Sequence, residues 1–525
     1  MVSDLLLIHM LKKEMLTQKS ILALVLIVFL IQCSSKRADV TSEIPPKREL
    51  RGAWIATVAN IDWPSSKRLS TDRQQQEFID ILDNHQKIGI NALFVQVRAA
   101  SDALYAVSPE PWSEWLTGSQ GKAPSPYYDP MQFMIEHAHE RNMEFHAWLN
   151  LNRGTHGATS SVAANHITKT HPHWFMNYNG TKIYNFGLPE VRNYIINISM
   201  NIIRNYDVDG IHFDDYFYPY PVAGQKLNDQ AAFREYGRGF RKIDDWRRDN
   251  VNLIIKELSE AIKKEKPYIK FGVSPFGVWR NKDKDSGGSN TNGALSSYDD
   301  LYADSRLWAQ EGWVDYTAPQ VYWSFRHRTV PYKPMVDWWV KNNGKHHLYI
   351  GIASYRTGEN NKEWGTASQV LQQVRTNEIT RGVDGSIMYN TKSLMPGYHR
   401  LSDSLGRYYR YPALPPVMSW KEADPLPKPE VTELIRHSDG SRARIKWEIP
   451  TQYEEYVRRF VIYRFLRGER RSMDNPQNIV AIVRNKEQKV FIDNTIDPEG
   501  QYEYAVTALD RLSNESKPSK LHKLR

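Results

Sequence analysis

Between residues 51 and 389 the chain repeats one pattern eight times: a short apolar run, then a longer stretch with helical spacing or loop composition. The runs are Arg51–Val58, Asn91–Arg98, Glu144–Leu151, Asp209–Tyr216, Ile269–Pro275, Asp315–Trp323, Leu348–Ala353 and Gly385–Tyr389. Helices are expected over Thr71–Lys87, Pro130–Arg141, Glu190–Tyr206, Asp244–Lys264 and Ser305–Glu311. In the first, Phe78, Ile81 and Leu82 fall on one side; in the third, Val191, Tyr194, Ile195, Ile198 and Ile202 do. Short, nearly continuous apolar strands suit a parallel sheet covered on both faces. Eight of them alternating with helices predict a (β/α)8 TIM barrel, whose working site forms at the C-terminal ends of the strands.

The flanks read differently. Lys12–Ser20 is polar and mostly basic, Ile21–Ile31 is apolar but too short to span a bilayer, and Cys33 follows, the only cysteine in 525 residues. Residues 1–33 resemble a lipoprotein signal peptide in which Cys33 would be lipidated, although Gln32 stands where a small residue is usual; an ordinary signal peptide is the alternative. Either version exports the protein to the cell envelope, and the lipidated one anchors it to a membrane, facing the periplasm. Residues 34–47 are expected to be a tether, 48–411 the barrel, and 412–430, with six prolines, a linker. Residues 431–525 alternate like a small all-β sandwich. Arg442–Glu448 with Trp447, Phe460–Phe465 and Gln501–Leu509 resemble strands of a fibronectin type III module.

Charge narrows the function. The net charge of +9 comes from 69 basic and 60 acidic residues, and the surplus lies in the two flanks, leaving the barrel segment nearly neutral. A nucleic-acid protein would concentrate basic residues on its working domain. No cofactor is expected: no glycine-rich phosphate loop follows a strand, and His166, His171 and His173 lack the spacing of a metal site. The loops after the second, third and fourth strands are rich in Trp, Tyr and Pro.

The segment Asp209–Pro219 carries the chemistry. Strand alternation sends His212, Asp214 and Tyr216 toward the barrel axis and Ile211, Phe213 and Asp215 outward. Asp214 then stands at the mouth of the fourth strand, with Asp215 beside it or turned away. Glycoside hydrolysis needs one charged carboxylate and one acid that protonates the leaving oxygen. Asp214, with or without Asp215, is expected to be the charged group. For the acid, Asp102 ranks first because it lies just past a strand end; Asp62, Glu110, Glu114, Asp299, Asp300 and Asp304 stay open. Arg98, Asn150, Arg153, Gln320, Tyr322 and Arg356 at strand ends, together with Asp62, His212 and Tyr216, are expected to orient a ligand. Trp63, Trp112, Trp115, Trp279 and Trp323 could stack on sugar rings.

Several long motifs in order resemble the glycosyl-hydrolase-like family ten: Arg51–Val58, Asn60–Ser65, Gln96–Arg98, Ser101–Tyr105, Glu110–Ser113, Asp209–Pro219, Gly272–Trp279, Tyr298–Asp304 and Ala318–Trp323. The likeness covers about residues 47–410. It implies an envelope (β/α)8 glycosidase acting on a β-linked amino-sugar polymer, with peptidoglycan glycan strands stripped of peptides as the leading substrate. It also places Asp214 at a position used by nucleophiles in related barrels. A chitinase-like pattern would have Glu where Tyr216 stands. The rival expectations are a hydrolase of another polysaccharide and a non-catalytic glycan-binding barrel.

Overall fold

Eight strands form because each run offers side chains that two apolar layers can bury, and in the structure, a computed structural model, all eight are fully buried. It describes residues 45–525, so the signal segment, Cys33 and most of the tether lie outside the described residues. In chain order the barrel elements are β1 (Leu50–Ile55), α1 (Thr71–Lys87), β2 (Ala92–Arg98), α2 (Pro130–Glu140), β3 (Glu144–Leu149), α3 (Pro189–Asn205), β4 (Gly210–Phe213), α4 (Ile243–Glu265), β5 (Lys270–Val273), α5 (Ser305–Gln310), β6 (Tyr316–Thr317), α6 (Tyr332–Asn342), β7 (His347–Ile352), α7 (Ser368–Ile379), β8 (Gly385–Met388) and α8 (Leu401–Tyr408). Each strand pairs in parallel with the next, and β8 closes on β1. The chain is a TIM barrel.

Local chemistry sets several boundaries. Ser70 caps α1 by accepting the Arg73 N–H, and Asp129 caps α2 ahead of Pro130. The sixth strand is shorter than the apolar run because Pro319 has no N–H for a ladder; Gln320 resumes pairing as isolated bridges to Phe276 and Gly351. Inside the barrel, rings from one strand pack over glycines of another. A Cβ on Gly272 would run into the Tyr316 ring, and one on Gly210 into the His146 ring.

A file of hydrogen bonds runs down the axis. The Trp54 indole N–H donates to His212 Nε2 (3.1 Å), which makes Nε2 the acceptor and leaves Nδ1–H to donate to the Tyr316 hydroxyl (3.1 Å). Tyr316 in turn donates to His146 Nδ1 (3.0 Å), and His146 Nε2–H donates to Glu144 (3.2 Å). Lys270 ends the file with a 2.5 Å bond to the other Glu144 oxygen. Burial pushes the His212 pKa far down, keeping the ring neutral. Burial opposes ionisation of Glu144 as well, but Lys270 and His146 hold it down at about 2. His212, expected to orient a ligand, is therefore an interior group with both nitrogens committed. Alternation did point it inward, but inward residues of a barrel strand stack in layers, and only the uppermost reaches the mouth.

Residues 430–523 form a sandwich of two antiparallel sheets. One holds β9 (Glu430–Arg436), β10 (Ala443–Glu448) and β13 (Val490–Asp493); the other holds β11 (Arg459–Leu466), β12 (Ile479–Arg484), β14 (Tyr502–Leu509) and β15 (His522–Lys523). Trp447, Phe460, Ile462, Tyr504 and Val506 fill its core. The sandwich grips the barrel: Arg458 and Arg511 both pair with Asp207, and Lys47 pairs with Glu515 at 2.7 Å. The segment 412–430, expected as a linker, is a strap across the barrel. Met418 is fully buried against the interior cluster, Trp420 donates to Asp315, and Lys421 pairs with the same carboxylate at 2.9 Å. Its prolines end regular structure without preventing the apolar residues between them from packing.

Candidate active site

At the C-terminal mouth of the barrel lies a cavity of about 310 Å³. Trp54 and Trp148 line its interior side, together with Gln96 and Ser274. Its walls include Tyr216, Tyr220, Tyr322 and Tyr389, with Arg153 and His156 on the side of the loop after β3. Asp214 and Asp215 are the carboxylates in the lining. Strand β4 ends at Phe213, so the in–out alternation stops there and both following carboxylates turn to the cavity. The expectation for Asp215 was split between these two placements, and the early strand end is the physical reason for the one observed.

The orientation of Asp214 is traced to the backbone. The N–H groups of Thr57 and Val58 donate to Gln96 Oε1 at 2.9 and 2.8 Å. That fixes the Gln96 amide, whose nitrogen donates to Asn150 Oδ1. Asn150 must then present its own NH2 to Asp214, which accepts it on Oδ2. The Tyr216 N–H approaches the other oxygen at 3.3 Å. The Trp148 indole N–H is close to this carboxylate but is left without a partner of its own among the described residues. Burial, then the neighbouring Asp215, pushes the Asp214 pKa up to about 7, with Arg153 opposing. Burial also raises Asp215, but Tyr220, which donates its hydroxyl to this carboxylate, and Gln320 favour the charged form. The two carboxyls therefore titrate as one coupled pair, both pushed up by burial.

The other expected site residues divide into two groups. Arg153, Tyr216, Gln320 and Tyr322 line the cavity, and Asn150 touches it through Asp214. The rest stand behind. Asp102 is buried in its own loop, accepting the N–H groups of Ala99 and Ala100, and is outside the lining. A carboxylate just past a strand end can equally fold back to cap the loop, as this one does. Arg98 forms a two-pronged pair with Glu110 at 2.7 Å and donates to the Asn150 carbonyl, so it braces a site residue. Asp62 accepts the N–H groups of Ala56 and Lys392, tying the first and last loops together; burial pushes its pKa up to about 7. Arg356 is spent on Glu359 and the Tyr322 carbonyl. Trp63 is fully buried and donates to the Gln74 carbonyl, while Trp323 packs on Phe276 behind the wall. Glu110 is held by Arg98 and by the Tyr194 hydroxyl, Glu114, Asp299, Asp300 and Asp304 bond other loop groups, and all five are outside the lining.

Residues that the sequence reading passed over include Trp54, Trp148, Gln96, His156, Tyr220 and Tyr389. Trp54, Gln96 and Trp148 sit on strands at inward positions, and a stricter use of alternation on β1, β2 and β3 would have found them.

A buried, coupled carboxylate pair at the mouth of a TIM barrel, walled by aromatic rings, is the kind of site a glycoside hydrolase uses. The chain belongs to the glycosyl hydrolase-like 10 family, whose sequence profile matches residues 49–366. It is 44% identical over 481 residues to the glycosyl hydrolase YngK of Bacillus subtilis, across 90% of this chain and 93% of that protein. It is 37% identical over 405 residues to the glycosyl hydrolase DigH of Escherichia coli, across 70% of this chain and 91% of the relative. Among solved structures, the glycoside hydrolase domain of PgaB from Bordetella bronchiseptica aligns over 69% of this chain and 99% of its own, with 10% identity and a TM-score of 0.43.

Proposed function

We propose that this glycoside hydrolase cleaves a β-linked amino-sugar polymer of the bacterial envelope, with peptidoglycan glycan strands freed of peptide as its substrate. One observation carries the proposal: Asp214 and Asp215 leave a single strand end side by side, and no third carboxylate lines the cavity among the described residues. Retaining and inverting hydrolysis by two carboxylates alone requires them on opposite sides of the bond. Two on one side suit a substrate that brings its own nucleophile, and a 2-acetamido sugar does.

In this reading Asp214 gives its proton to the glycosidic oxygen as the C1–O bond breaks. The acetamido oxygen closes on C1, and Asp215, held charged by Tyr220, accepts the hydrogen bond of the acetamido N–H. A water molecule then adds at C1, its proton passing to Asp214, and the acetamido group reopens. The β configuration is retained. Tyr216, Tyr322 and the Trp54–Trp148 side offer faces for the sugar ring. Export by the N-terminal signal, with anchoring at Cys33, would deliver the barrel to this polymer. The sandwich, fibronectin-like in sequence, would hold the barrel at a distance from the membrane.

The test is mass spectrometry and proton NMR of products from purified, peptide-free glycan strands, run beside neutral polysaccharides. The expected result is short amino-sugar products released first as the β anomer, and their loss in Asp214→Asn. Products from the neutral set alone defeat the proposal.

A further inference from the structure

Beside the cavity that holds the carboxylates lies a second chamber of about 280 Å³, sharing Arg153, His156, Tyr216 and Tyr220 with it. It is built by an insertion between β3 and α3. Phe175–Tyr178 and Thr181–Tyr184 form a hairpin, and the loop after β3 adds to its edge. Gly154 and Thr155 N–H groups both donate to the Lys182 carbonyl (2.8 and 3.0 Å), and the Tyr184 N–H donates to the Asn152 carbonyl at 2.9 Å. The Tyr178 hydroxyl ties down the opposite rim, donating to the Tyr220 carbonyl and accepting the Val222 N–H. The chamber is thus fixed before anything enters it.

Arg153 stands where the two chambers meet. Its guanidinium lies on the Tyr216 ring, 3.9 Å from the centroid, and makes no ion pair among the described residues. It acts on Asp214 and Asp215 only through space. Stacking occupies the face of a guanidinium and leaves its edge of N–H donors for a planar anion. His156 adds a neutral donor: its Nδ1 accepts the Ala158 N–H at 3.1 Å, so Nε2 carries the hydrogen.

We infer that the second chamber binds the sugar next to the cleaved bond and that Arg153 selects a unit bearing a free carboxylate, such as the lactyl ether of a muramic acid whose peptide has been removed. The inference rests on the envelope-glycan reading above and sharpens it. A neutral sugar polymer gives Arg153 nothing to pair with. A peptide-bearing unit replaces the carboxylate by an amide, which leaves the guanidinium edge without an anion to pair with.

The experiment compares two preparations of the same strands, one with free lactyl carboxylates and one with these converted to primary amides. A charge-assisted pair of this kind is worth about tenfold or more in affinity. The native protein is expected to show about tenfold lower KM on the carboxylate strands, with kcat changed less than about twofold. Arg153→Gln should lose that difference, and Arg153→Lys should recover part of it. Val222→Trp, which fills the outer rim of the second chamber away from both carboxylates, should raise KM on both preparations. Equal KM for the two preparations with the native protein overturns the inference and leaves the envelope-glycan reading standing. A normal KM in Val222→Trp overturns the subsite. Hydrolysis of neither preparation overturns the reading and the inference together.

Discussion

Asp215→Asn tests the division of labour between the carboxylates. Asparagine keeps the volume and removes the charge. Burial, the largest influence on Asp214, is unchanged, while the second, the repulsion from Asp215, disappears. Carboxyls coupled this closely interact by about one pK unit or more. The Asp214 proton should therefore leave at lower pH, and the alkaline limb of kcat/KM, expected near 7 for the native protein, should fall by about one unit yet stay above the ordinary carboxylate range. Asn150→Ala acts with the opposite sign. It removes a donor to the charged form of Asp214, worth about 1.5–3 kcal/mol, and at about 1.4 kcal/mol per unit the limb should rise by one to two units. The assay is the pH profile of kcat/KM on peptide-free glycan strands for the native protein and both variants. Opposite displacements of the limb are the signature. Limbs that move together, or not at all, would refute Asp214 as the proton donor.

Three further outcomes follow from the same structure. Because the folded-state pKa of Asp214 is raised, its contribution destabilises the fold increasingly as pH climbs from about 4 through 7; Asp214→Asn should raise the melting temperature by a few degrees at pH 8, the gain fading toward pH 4 in calorimetry. Lys270→Met strips a buried partner from Glu144 and should cost about 3–5 kcal/mol in guanidinium unfolding, without loss of the site's carboxylates. Met418→Ala should cost about 2–5 kcal/mol through the cavity it opens under the barrel, read in the same unfolding assay.

The barrel is legible because strands covered on both faces leave contiguous apolar runs and helices announce their starts, as Ser70 and Asp129 do. Alternation pointed Asp214 to the mouth, and the end of β4 at Phe213, one residue before it, leaves it facing the cavity. It misplaced what depends on layers, ends or partners. His212 lies one layer too deep, and Asp215 follows a strand that has already stopped. Arg98 and Arg356 face Glu110 and Glu359, which consume their charge, and strand position alone does not show such pairing. The raised pKa of Asp214 depends on burial and on a neighbour's charge, quantities that exist only once the chain is folded. The prolines of 412–430 masked the burial of Met418 between them.

The axial file from Trp54 to Glu144 has a direction: each hydrogen from Trp54 through His146 points away from the mouth and toward the base, where Glu144 accepts from both His146 and Lys270. Reversing it would require Trp54 to accept, which an indole nitrogen cannot do. The barrel's centre is therefore a one-way circuit with no terminal at the chemistry. In the proposed mechanism, hydrogen ions consumed or released by Asp214 are exchanged with the bathing solution at the open end, along the same route by which the glycan arrives.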